Sequence, residues 1–581
     1  MKQRVRLGGW VVLLLAACLL LLISGSGSTA QGVAPDTLLI GGVFDTQNQP
    51  VVGATVALHA GSLEAAIPAE DDPAAEPLAQ TLTQEDGRFA LTVPADLPDA
   101  VSLHVERPHF STVTFALEAD TLAALHSGES VVLADLALSR QINAAFWIAA
   151  AVFFGVLVLI ATAVLHNTLA ALLGATLLFA VSYLGHPLSE DLFIFDFAGA
   201  LGYIDWNVIF LIMGMMIVIA VVERTGIFQW LAFTAYRASG GRVWLLVAIL
   251  MVVAGVASAV LDNVTTMLLM TPITVQTALA LGINPLALLM PEVMASNVAG
   301  ISTLVGTPTN ILIGSYAGLS FNDFLVNLTP GVVLAMVGLV IYSQIVYRRD
   351  YAAVSDISPT LLERLEERAR ITEPGHLRKA SWVGLGMLIL FVLGEQIRLL
   401  PSVTALMGAT VLLVWIRPDI EEMIEAVDWT TLVFFMGLFI VVGAIQEVGL
   451  ISLIADVIAG LVGSNLVLAM VTVTWASALL STVVANIPFT AAMLPVIGYL
   501  TRIVPGAGSL VLFYCLSVGS AMGGNGSLIG ASANMVTAGI ADRAGFPITY
   551  AYFLRKGMPA LVVTVGLATL WLVLRFLVFA P

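Results

Sequence analysis

The chain has 581 residues, of which 59% are hydrophobic and 11% are charged, and its formal net charge is −16. This composition excludes a soluble globular domain and predicts an α-helical polytopic membrane protein. The acidity belongs to residues 31–139, which hold sixteen Asp or Glu against two Arg, while the remainder is nearly neutral. Because no basic face is expected, nucleic acid is not a predicted partner.

Residues 1–30 have the layout of a secretory signal peptide. Three basic residues lie among the first six, residues 10–23 are apolar, and Ser28-Thr29-Ala30 has the small-x-small pattern of a cleavage site. A competing interpretation is a lipoprotein signal that ends at Cys18, and the choice between cleavage and lipidation stays open. Either interpretation places the following segment outside the cytoplasm.

Residues 31–140 predict a small extracytoplasmic β-sandwich. Short runs such as "TLLIGGVFD", "GATVALHAG", "GRFALTVPA" and "AVSLHVERP" alternate apolar and polar residues between Gly, Pro and Asp turns. The phrases "GGVFDTQNQPVVGATVAL" and "TQEDGRFALTVPA" resemble the carboxypeptidase regulatory-like, transthyretin-type domain. This resemblance implies an accessory module without catalytic residues of its own.

Beyond Ala144 the chain contains an internal duplication. The segment "DWNVIFLIMGMMIVIAVVERTG" from Asp205 returns as "DWTTLVFFMGLFIVVGAIQEVG" from Asp428, 223 residues later. At nearly the same offset "TLVGTPTN", ending at Asn310, returns as "SLIGASAN", ending at Asn534. The duplication predicts a first transmembrane repeat at 144–347, a charged cytoplasmic linker at 348–380 and a second transmembrane repeat at 381–581.

The distribution of Lys and Arg predicts that the two repeats are inverted. With the β-module outside, the arginine-rich linker is cytoplasmic, residues 208–222 run inward and residues 432–446 run outward. Inverted repeats are typical of secondary transporters, which bind their solute between the repeats near the middle of the membrane. The predicted location is the bacterial inner (plasma) membrane, crossed several times.

Each repeat has two polar interruptions, which predict a re-entrant hairpin and a helix broken inside the membrane. Such irregular backbone is tolerated at membrane depth only where it lines a polar cavity. Freed carbonyls there can bind a cation, and the N-termini of half-helices favour an anion. The candidate substrate- and ion-binding residues are Asp262, Asn263, Thr265, Asn297, Gly306, Thr307, Pro308, Asn310, Asn486, Asn525, Gly530, Ser532 and Asn534.

Asp262 is the carboxylate of the first hairpin. A carboxylate within a membrane segment is expected to have a function, because an unpaired charge there is costly. The competing interpretation is a helix cap. The second repeat has Ala485 at the equivalent position, so Asp262 is predicted to be the one cation-facing or proton-binding group at the hairpin tips.

Three segments, "LDNVTTMLLMTPIT", "PEVMASNVAGISTLVGTPTNILIG" and "GSAMGGNGSLIGASANMVTAGIADRAGFPIT", resemble the ion transporter superfamily. The similar branch holds arsenite-efflux permeases, sodium/proton antiporters and the melanosomal P protein, with a citrate transporter-like domain. The resemblance implies a fixed scaffold and a moving transport unit in each half, working as an elevator. It also implies two half-sites, with Na⁺ expected at Asn263, Asn310, Asn486 and Asn534. The family's second hairpin usually reads Asp-Asn where this chain has Ala485-Asn486.

The sequence therefore predicts a secondary-active transporter that moves a small anion or oxyanion-type solute such as arsenite, or a carboxylate. The expected partners are the lipid bilayer, this anionic or neutral oxyacid solute and a coupling Na⁺ or H⁺, with a homodimer as an open alternative. No further cofactor is expected, and neither an enzyme nor direct ATP coupling is predicted. The alternative function is a membrane receptor whose β-module binds a ligand.

Overall fold

The structure is a computed structural model that describes residues 37–579, except 47–49, 62–76, 95, 163, 353–365 and 368–369. The predicted signal peptide and the lipidation alternative at Cys18 lie outside the described residues. The described chain forms two compact units, one ending at Gln141 and the other beginning at Ile142.

The first unit contains eight strands and one helix. Strands β4-β1-β7 form one sheet, with β8 also paired to β1, and strands β3-β2-β5-β6 form the other. Their bounds are β1 Leu38–Asp45, β2 Thr55–Ala60, β3 Ala79–Leu82, β4 Arg88–Thr92, β5 Val101–Glu106, β6 Val113–Ala116, α1 Ala119–His126, β7 Val131–Val132 and β8 Leu136–Leu138.

Apolar and polar residues alternate along the strands, and the apolar side chains lie between the two sheets, which pack against each other. In β2 and β5, Val56 pairs with Val105 and Leu58 with Leu103, and all four side chains are buried. They share one apolar core with Leu39 and other residues of the opposite sheet. The predicted β-sandwich is confirmed as a fold, while its carboxypeptidase regulatory-like type stays a prediction.

The second unit is helical. In the first repeat the helices are α2 Ala144–Ala161, α3 Asn167–Ala180, α4 Phe197–Gly202, α5 Trp206–Glu223, α6 Ile227–Ser239, α7 Val243–Val260, α8 Asn263–Ala280, α9 Leu286–Gly300, α10 Pro308–Ala317, α11 Phe321–Val346 and α12 Arg348–Ala352. In the second they are α13 Pro374–Ile397, α14 Pro401–Ile416, α15 Ile420–Glu425, α16 Trp429–Glu447, α17 Leu450–Val462, α18 Leu466–Leu480, α19 Asn486–Ile503, α20 Val511–Gly523, α21 Ser532–Arg543 and α22 Tyr550–Val573.

Eight helices in the described part of the chain are long and apolar enough to cross a membrane. They are α2, α3 with the π-helical turn that follows it, α5, α7, α11, α13, α16, and α22 with its own π-helical turn. The prediction of a polytopic helical membrane protein is therefore confirmed.

Contacts at the two ends of α5 show that it runs antiparallel to α16. Near the start of α5, the Tyr203 hydroxyl donates a hydrogen bond to Glu447 at the end of α16. At the other end, Arg224 forms a 2.6 Å ion pair with Glu422, which lies in α15 just before α16 begins. Because α5 and α16 carry the duplicated motif, the repeats are inverted, as the sequence predicts.

Sixteen helices divide into two groups with few direct contacts between them, while α6 and α17 contact both groups. The arm group consists of α2, α3, α5, α13, α14 and α16, and the hairpin group consists of α7 to α11 and α18 to α22. Within the arm group each repeat's motif helix packs on the other repeat, since Gly214 of α5 meets Ala405 of α14 and Gly437 of α16 meets Ala171 of α3. Between the groups the contacts are sparse and involve α5 with α10, α16 with α19 and α11 with α13.

Candidate functional site

The first hairpin turns at Leu261 and Asp262, between α7 and α8. Asp262 is the N-cap of α8: its Oδ1 accepts a 2.9 Å hydrogen bond from the Thr265 backbone N–H, and its Oδ2 accepts a 2.7 Å bond from Thr265 Oγ1. Side-chain acceptors at this position satisfy amides that the helix cannot pair itself. The structure thus gives Asp262 and Thr265 a capping role, and the ion-facing role of Asp262 stays a prediction.

The second hairpin lacks this cap. Helix α19 begins at Asn486, and Ala485 at the N-cap position makes no side-chain hydrogen bond. The Asn486 side chain is 4% exposed. It has no hydrogen-bond partner among the described residues, unlike its counterpart Asn263, so its amide is available to a bound solute or ion.

The broken helices are held open by asparagine side chains. Between α9 and α10, residues 301–307 leave the helical path, and Asn310 Nδ2 donates to the carbonyls of Ile301 at 3.0 Å and Thr303 at 2.8 Å. In the second repeat Asn534 Nδ2 donates in the same way to Gly524 at 2.7 Å and Ser527 at 2.9 Å. Both predicted residues therefore position the break through their amide N–H groups.

The first residues after each break start a new half-helix. Thr307 and Ala531 are the N-cap residues of α10 and α21, and Pro308 and Ser532 are the first helical residues. Proline suits this position because the first helical N–H has no partner within the helix. The predicted residues Thr307, Pro308 and Ser532 thus lie at half-helix N-termini.

The two predicted glycines allow the hairpin tip to touch the helix break. A Cβ on Gly306 would lie 2.3 Å from the Gly300 carbonyl oxygen and 2.7 Å from that of Ser258. A Cβ on Gly530 would lie 3.0 Å from the Ser481 carbonyl oxygen. Both glycines are therefore required for the close approach of the hairpin tip to the helix break. A side chain would clash more severely at position 306 than at position 530.

Hydroxyl groups repeat this tip-to-break contact in both halves. Ser258 Oγ donates to the Ser296 carbonyl at 2.9 Å, and its counterpart Ser481 donates to that of Ser520 at 2.7 Å. Thr303 and Ser527 each accept a 3.1 Å hydrogen bond from the glycine N–H of their own break. Sequence reasoning missed these serines and Thr303, although the repeat offset links Ser258 to Ser481.

Four asparagines form a chain across the two repeats, here called the amide junction (Asn263, Asn297, Asn525 and Asn534). Asn263 Nδ2 donates to Asn297 Oδ1 at 2.9 Å, and Asn297 Nδ2 donates to Oδ1 of both Asn525 and Asn534 at 3.0 Å. All four side chains are buried. The first hairpin tip is thereby connected to the second helix break.

Asn310 is connected to the second repeat by a separate contact. Its Oδ1 accepts a 2.6 Å hydrogen bond from Ser517 Oγ of α20. The structure thus brings the four asparagines of the amide junction together. It joins Asn310 to the second repeat through Ser517. The side-chain amide of Asn486 has no hydrogen-bond partner in the described chain.

Two cavities lie at opposite ends of α5, the first between the arm group and the hairpin group and the second between α6 and α8. One, of about 320 Å³, is lined by Asn207, Leu304 and Arg398 among others. The other, of about 530 Å³, is lined by residues such as Glu223 and Gln276. The first cavity therefore reaches the helix break of the first repeat through Leu304.

The junction suits small ions. Helices α8, α10, α19 and α21 begin at the tips and breaks, and the N-terminal ends of helices carry partial positive charge that favours anions. Amide and carbonyl oxygens can also bind hard cations. In the described part of the chain no group of three or more His, Cys, Asp or Glu could hold a metal ion.

Inverted repeats whose hairpin tips and broken helices meet in a polar junction are the architecture of secondary membrane transporters. Comparison with known proteins agrees, because residues 157–508 match the citrate transporter family. The protein belongs to this family and is a membrane transporter.

Its relatives include bacterial and mammalian proteins. The chain is 38% identical over 437 residues to an uncharacterized transporter of Mycobacterium tuberculosis (strain ATCC 25618 / H37Rv), covering 74% of this chain and 99% of the relative. It is 32% identical over 530 residues to the P protein of Homo sapiens, covering 77% of this chain and 62% of that protein. The solved YdaH transporter of Alcanivorax borkumensis superposes with a TM-score of 0.48 at 15% identity, over 71% of this chain and 98% of that one.

Proposed function

We propose that this transporter is secondary-active and moves a small anion, either a carboxylate or an oxyanion-type solute such as arsenite, coupled to Na⁺ or H⁺. The observation that carries the proposal is the amide junction, where a chain of asparagine side chains joins the start of α8 in the first repeat to the start of α21 in the second. Such N-termini supply partial positive charge to an anion without a Lys or Arg side chain.

The family favours a carboxylate among these solutes, since its description is that of a citrate transporter. A carboxylate can accept hydrogen bonds from backbone N–H groups at half-helix starts and from asparagine amides. The free amide of Asn486 supports the same interpretation, because it is buried beside the second break and has no partner in the described chain.

We further propose an elevator mechanism, in which the hairpin group moves against the arm group. The sparse contacts between the groups support relative motion, while the hairpin group itself is tied together by the amide junction. The cavity at the start of α5 lies along the boundary where the groups would slide. Alternating access then exposes the junction to one side of the membrane at a time.

We also propose that the β-module lies outside the cytoplasm, with the linker inside. Thr372 at the end of the linker donates a 2.8 Å hydrogen bond to the Arg224 carbonyl, and Arg224 pairs with Glu422. These contacts support the proposal that the linker and Arg224 lie on the same side of the membrane. The distribution of positive charge predicts that this side is the cytoplasmic one.

Reconstitution in proteoliposomes tests the proposal. Uptake of labelled citrate, succinate, arsenite and chloride is measured under an imposed Na⁺ gradient, an imposed pH gradient or neither. We expect one carboxylate or arsenite to accumulate only when a cation gradient is imposed, and protein-free liposomes give the background. Uptake that no gradient alters would exclude secondary-active transport, and a chain that moves no panel solute would contradict the proposed substrate class.

A further inference from the structure

Glu292 is a buried carboxyl group in α9 whose role the fold does not explain. The residue is 0% exposed, and neither Oε1 nor Oε2 has a hydrogen-bond partner among the described residues. No ion pair to it occurs there either. A buried carboxylate without a cation or hydrogen bonds is strongly destabilising, so the group is expected to hold a proton.

The surroundings of Glu292 offer hydroxyl groups but no charge. Thr274 of α8 faces Glu292, and its Oγ1 also lacks a hydrogen-bond partner in the described chain. Helices α7, α8 and α20, which pack on α9, contain no Asp, Glu, Lys or Arg. Helix α20 carries the titratable side chains Tyr514 and Cys515. At the start of α9, Tyr351 donates to the Ala287 carbonyl, and Lys556 of α22 lies 5.1 Å from the Tyr347 ring.

The remaining charged residues of elements packed on α9 lie near the ends of those elements. They are Asp323 of α11, Arg348, Arg349 and Asp350 of α12, Asp542 and Arg543 of α21, and Arg555 of α22. No ion pair joins any of them to Glu292 in the described chain. A proton on Glu292 therefore has no competing fixed charge beside it.

Three buried hydroxyls, here called the hydroxyl file (Thr266, Thr274 and Ser296), lie on the two helices that carry Glu292, Asn263 and Asn297. Thr266 Oγ1 and Ser296 Oγ are both buried and without a hydrogen-bond partner in the described chain. Thr266 lies one turn along α8 from Asn263, and Ser296 lies beside Asn297, one turn along α9 from Glu292. Unpaired buried polar atoms are rare in proteins and call for a functional explanation.

The other end of the file approaches the larger cavity. Ile273 and Thr277, which flank Thr274 in α8, line this cavity together with Gln229 and Gln276. Gln229 Oε1 is likewise buried without a hydrogen-bond partner in the described chain. Glu292 is thus faced by Thr274 of the helix that lines this cavity, and it lies on the same helix as Asn297 of the amide junction.

The second repeat has no such group. Ser296 and Ser520 are equivalent, since each accepts the hairpin hydroxyl through its carbonyl, and Leu516 therefore occupies the position equivalent to Glu292. At this position the first repeat thus carries a carboxyl group and the second an aliphatic side chain. A single carboxyl group can load and release one proton per transport cycle.

We infer that Glu292 is the proton-carrying group of this transporter and that H⁺ is its coupling ion. The inference rests on the proposed secondary-active function. When the larger cavity is open to water, the Glu292 carboxyl group gives its proton to that water and becomes a carboxylate. After the hairpin group has moved and the junction faces the other side of the membrane, the carboxylate takes a proton up from the water on that side, so that one proton crosses the membrane in each cycle. Na⁺ is disfavoured at Glu292 because its surroundings offer few oxygen ligands beyond Thr274.

Infrared difference spectroscopy of the purified protein tests the protonation of Glu292 independently of transport. We expect the wild type at neutral pH to show the carbonyl stretch of a protonated carboxylic acid that is missing from Glu292→Gln and shifted in Glu292→Asp. The band should not respond to Na⁺. If the wild type lacks the band, or loses it when Na⁺ is added, the inference is wrong.

Flux in proteoliposomes tests the coupling. With citrate, succinate and arsenite as probes, Glu292→Gln is expected to lose accumulation driven by a pH gradient while still exchanging labelled for unlabelled solute. Glu421→Gln, which removes an exposed carboxylate of α15, is the charge-matched control and should accumulate solute normally. Accumulation by Glu292→Gln at the wild-type level would overturn the inference. A wild type that exchanges none of the probes would contradict the proposed function instead, and the infrared band still decides on Glu292.

Discussion

Asn297 of the first repeat donates a 3.0 Å hydrogen bond to Oδ1 of Asn534 in the second repeat. Asn534 in turn holds the second helix break open through its own Nδ2. The Asn534 side chain therefore shapes the helix break of the second repeat and also binds the first repeat. The two half-sites can therefore move apart only if this hydrogen bond breaks.

Replacing Asn297 should weaken the junction as a whole. Asn297→Ala leaves Asn263 Nδ2, Asn525 Oδ1 and Asn534 Oδ1 without this partner, and each unsatisfied buried group costs about 1–3 kcal/mol. We expect loss of transport and a lower unfolding temperature in detergent, measured by tryptophan fluorescence. Gln344→Ala, which removes an exposed amide bonded to the Trp244 carbonyl, serves as control and should leave both unchanged. Unaltered stability of Asn297→Ala would show that the junction does not hold the repeats together.

The packing of the first hairpin on its helix break predicts a graded effect of alanine. Gly306→Ala would force a Cβ within 2.3 Å of a backbone oxygen, whereas at Gly530 the tightest contact is 3.0 Å. Overpacking of this kind costs about 1–3 kcal/mol or more. We expect Gly306→Ala to lower the yield of folded protein in size-exclusion chromatography more than Gly530→Ala does.

A glycine with free space provides the control for this series. A Cβ added to Gly386 in α13 would meet no neighbouring atom within 4 Å, so Gly386→Ala should behave as wild type. Equal yields for the variants at positions 306 and 386 would disprove the close contact between tip and break.

Substitutions at Asp262 separate a helix cap from an ion-binding group. Asp262→Asn keeps an oxygen that can accept from the Thr265 N–H, whereas Asp262→Ala removes the cap at a cost of about 0.5–2 kcal/mol. Because both carboxylate oxygens already accept hydrogen bonds from Thr265, we expect Asp262→Asn to retain coupled transport and Asp262→Ala to lose thermal stability. The measurement is flux against pH and Na⁺, and loss of either dependence in Asp262→Asn would restore the ion-facing role predicted from the sequence.

The proposed orientation can be tested by cysteine labelling of intact cells. Ser127 is exposed at the end of α1 in the β-module, and Ser355 belongs to the linker, outside the described residues. We expect a membrane-impermeant maleimide to label Ser127→Cys but not Ser355→Cys, with the parent chain giving the background from Cys18 and Cys515. The opposite labelling pattern would reverse the orientation in the membrane.

Much of the fold follows from local sequence patterns. The apolar stretches and the duplicated motif predicted the spanning helices, and Asp205 and Asp428 each cap the helix that their motif begins. Pro308 and Ser532 belong to the predicted helix breaks, and in the structure they are the first residues of α10 and α21. These features depend on residues close together in the chain, which is why the sequence reveals them.

The assembly of the site depends on contacts that local patterns do not encode. Asn297 and Asn525 are not related by the repeat offset, so their hydrogen bond appears only when the two repeats are packed together. The complete burial of Glu292 could not be predicted from the sequence either, because the neighbouring Pro291 is compatible with a helix end near the membrane surface. In the structure α9 continues through Pro291, and neighbouring helices bury Glu292 completely.

The central claim is that solute binds at the half-sites between the inverted repeats, and Asn486 offers the cleanest position to test it. Its side chain is buried at the second hairpin tip and makes no hydrogen bond in the described chain. Asn486→Ala therefore removes no side-chain hydrogen bond of the described chain. A loss of transport in this variant cannot be attributed to a lost hydrogen bond that stabilises the fold.

The decisive measurement is the solute-concentration dependence of gradient-driven flux in proteoliposomes that contain equal amounts of folded wild type or Asn486→Ala. Our account predicts that Asn486→Ala keeps the wild-type unfolding temperature but loses transport or requires much higher solute concentrations. Flux with wild-type rate and concentration dependence would contradict the placement of the site at the hairpin tips and helix breaks.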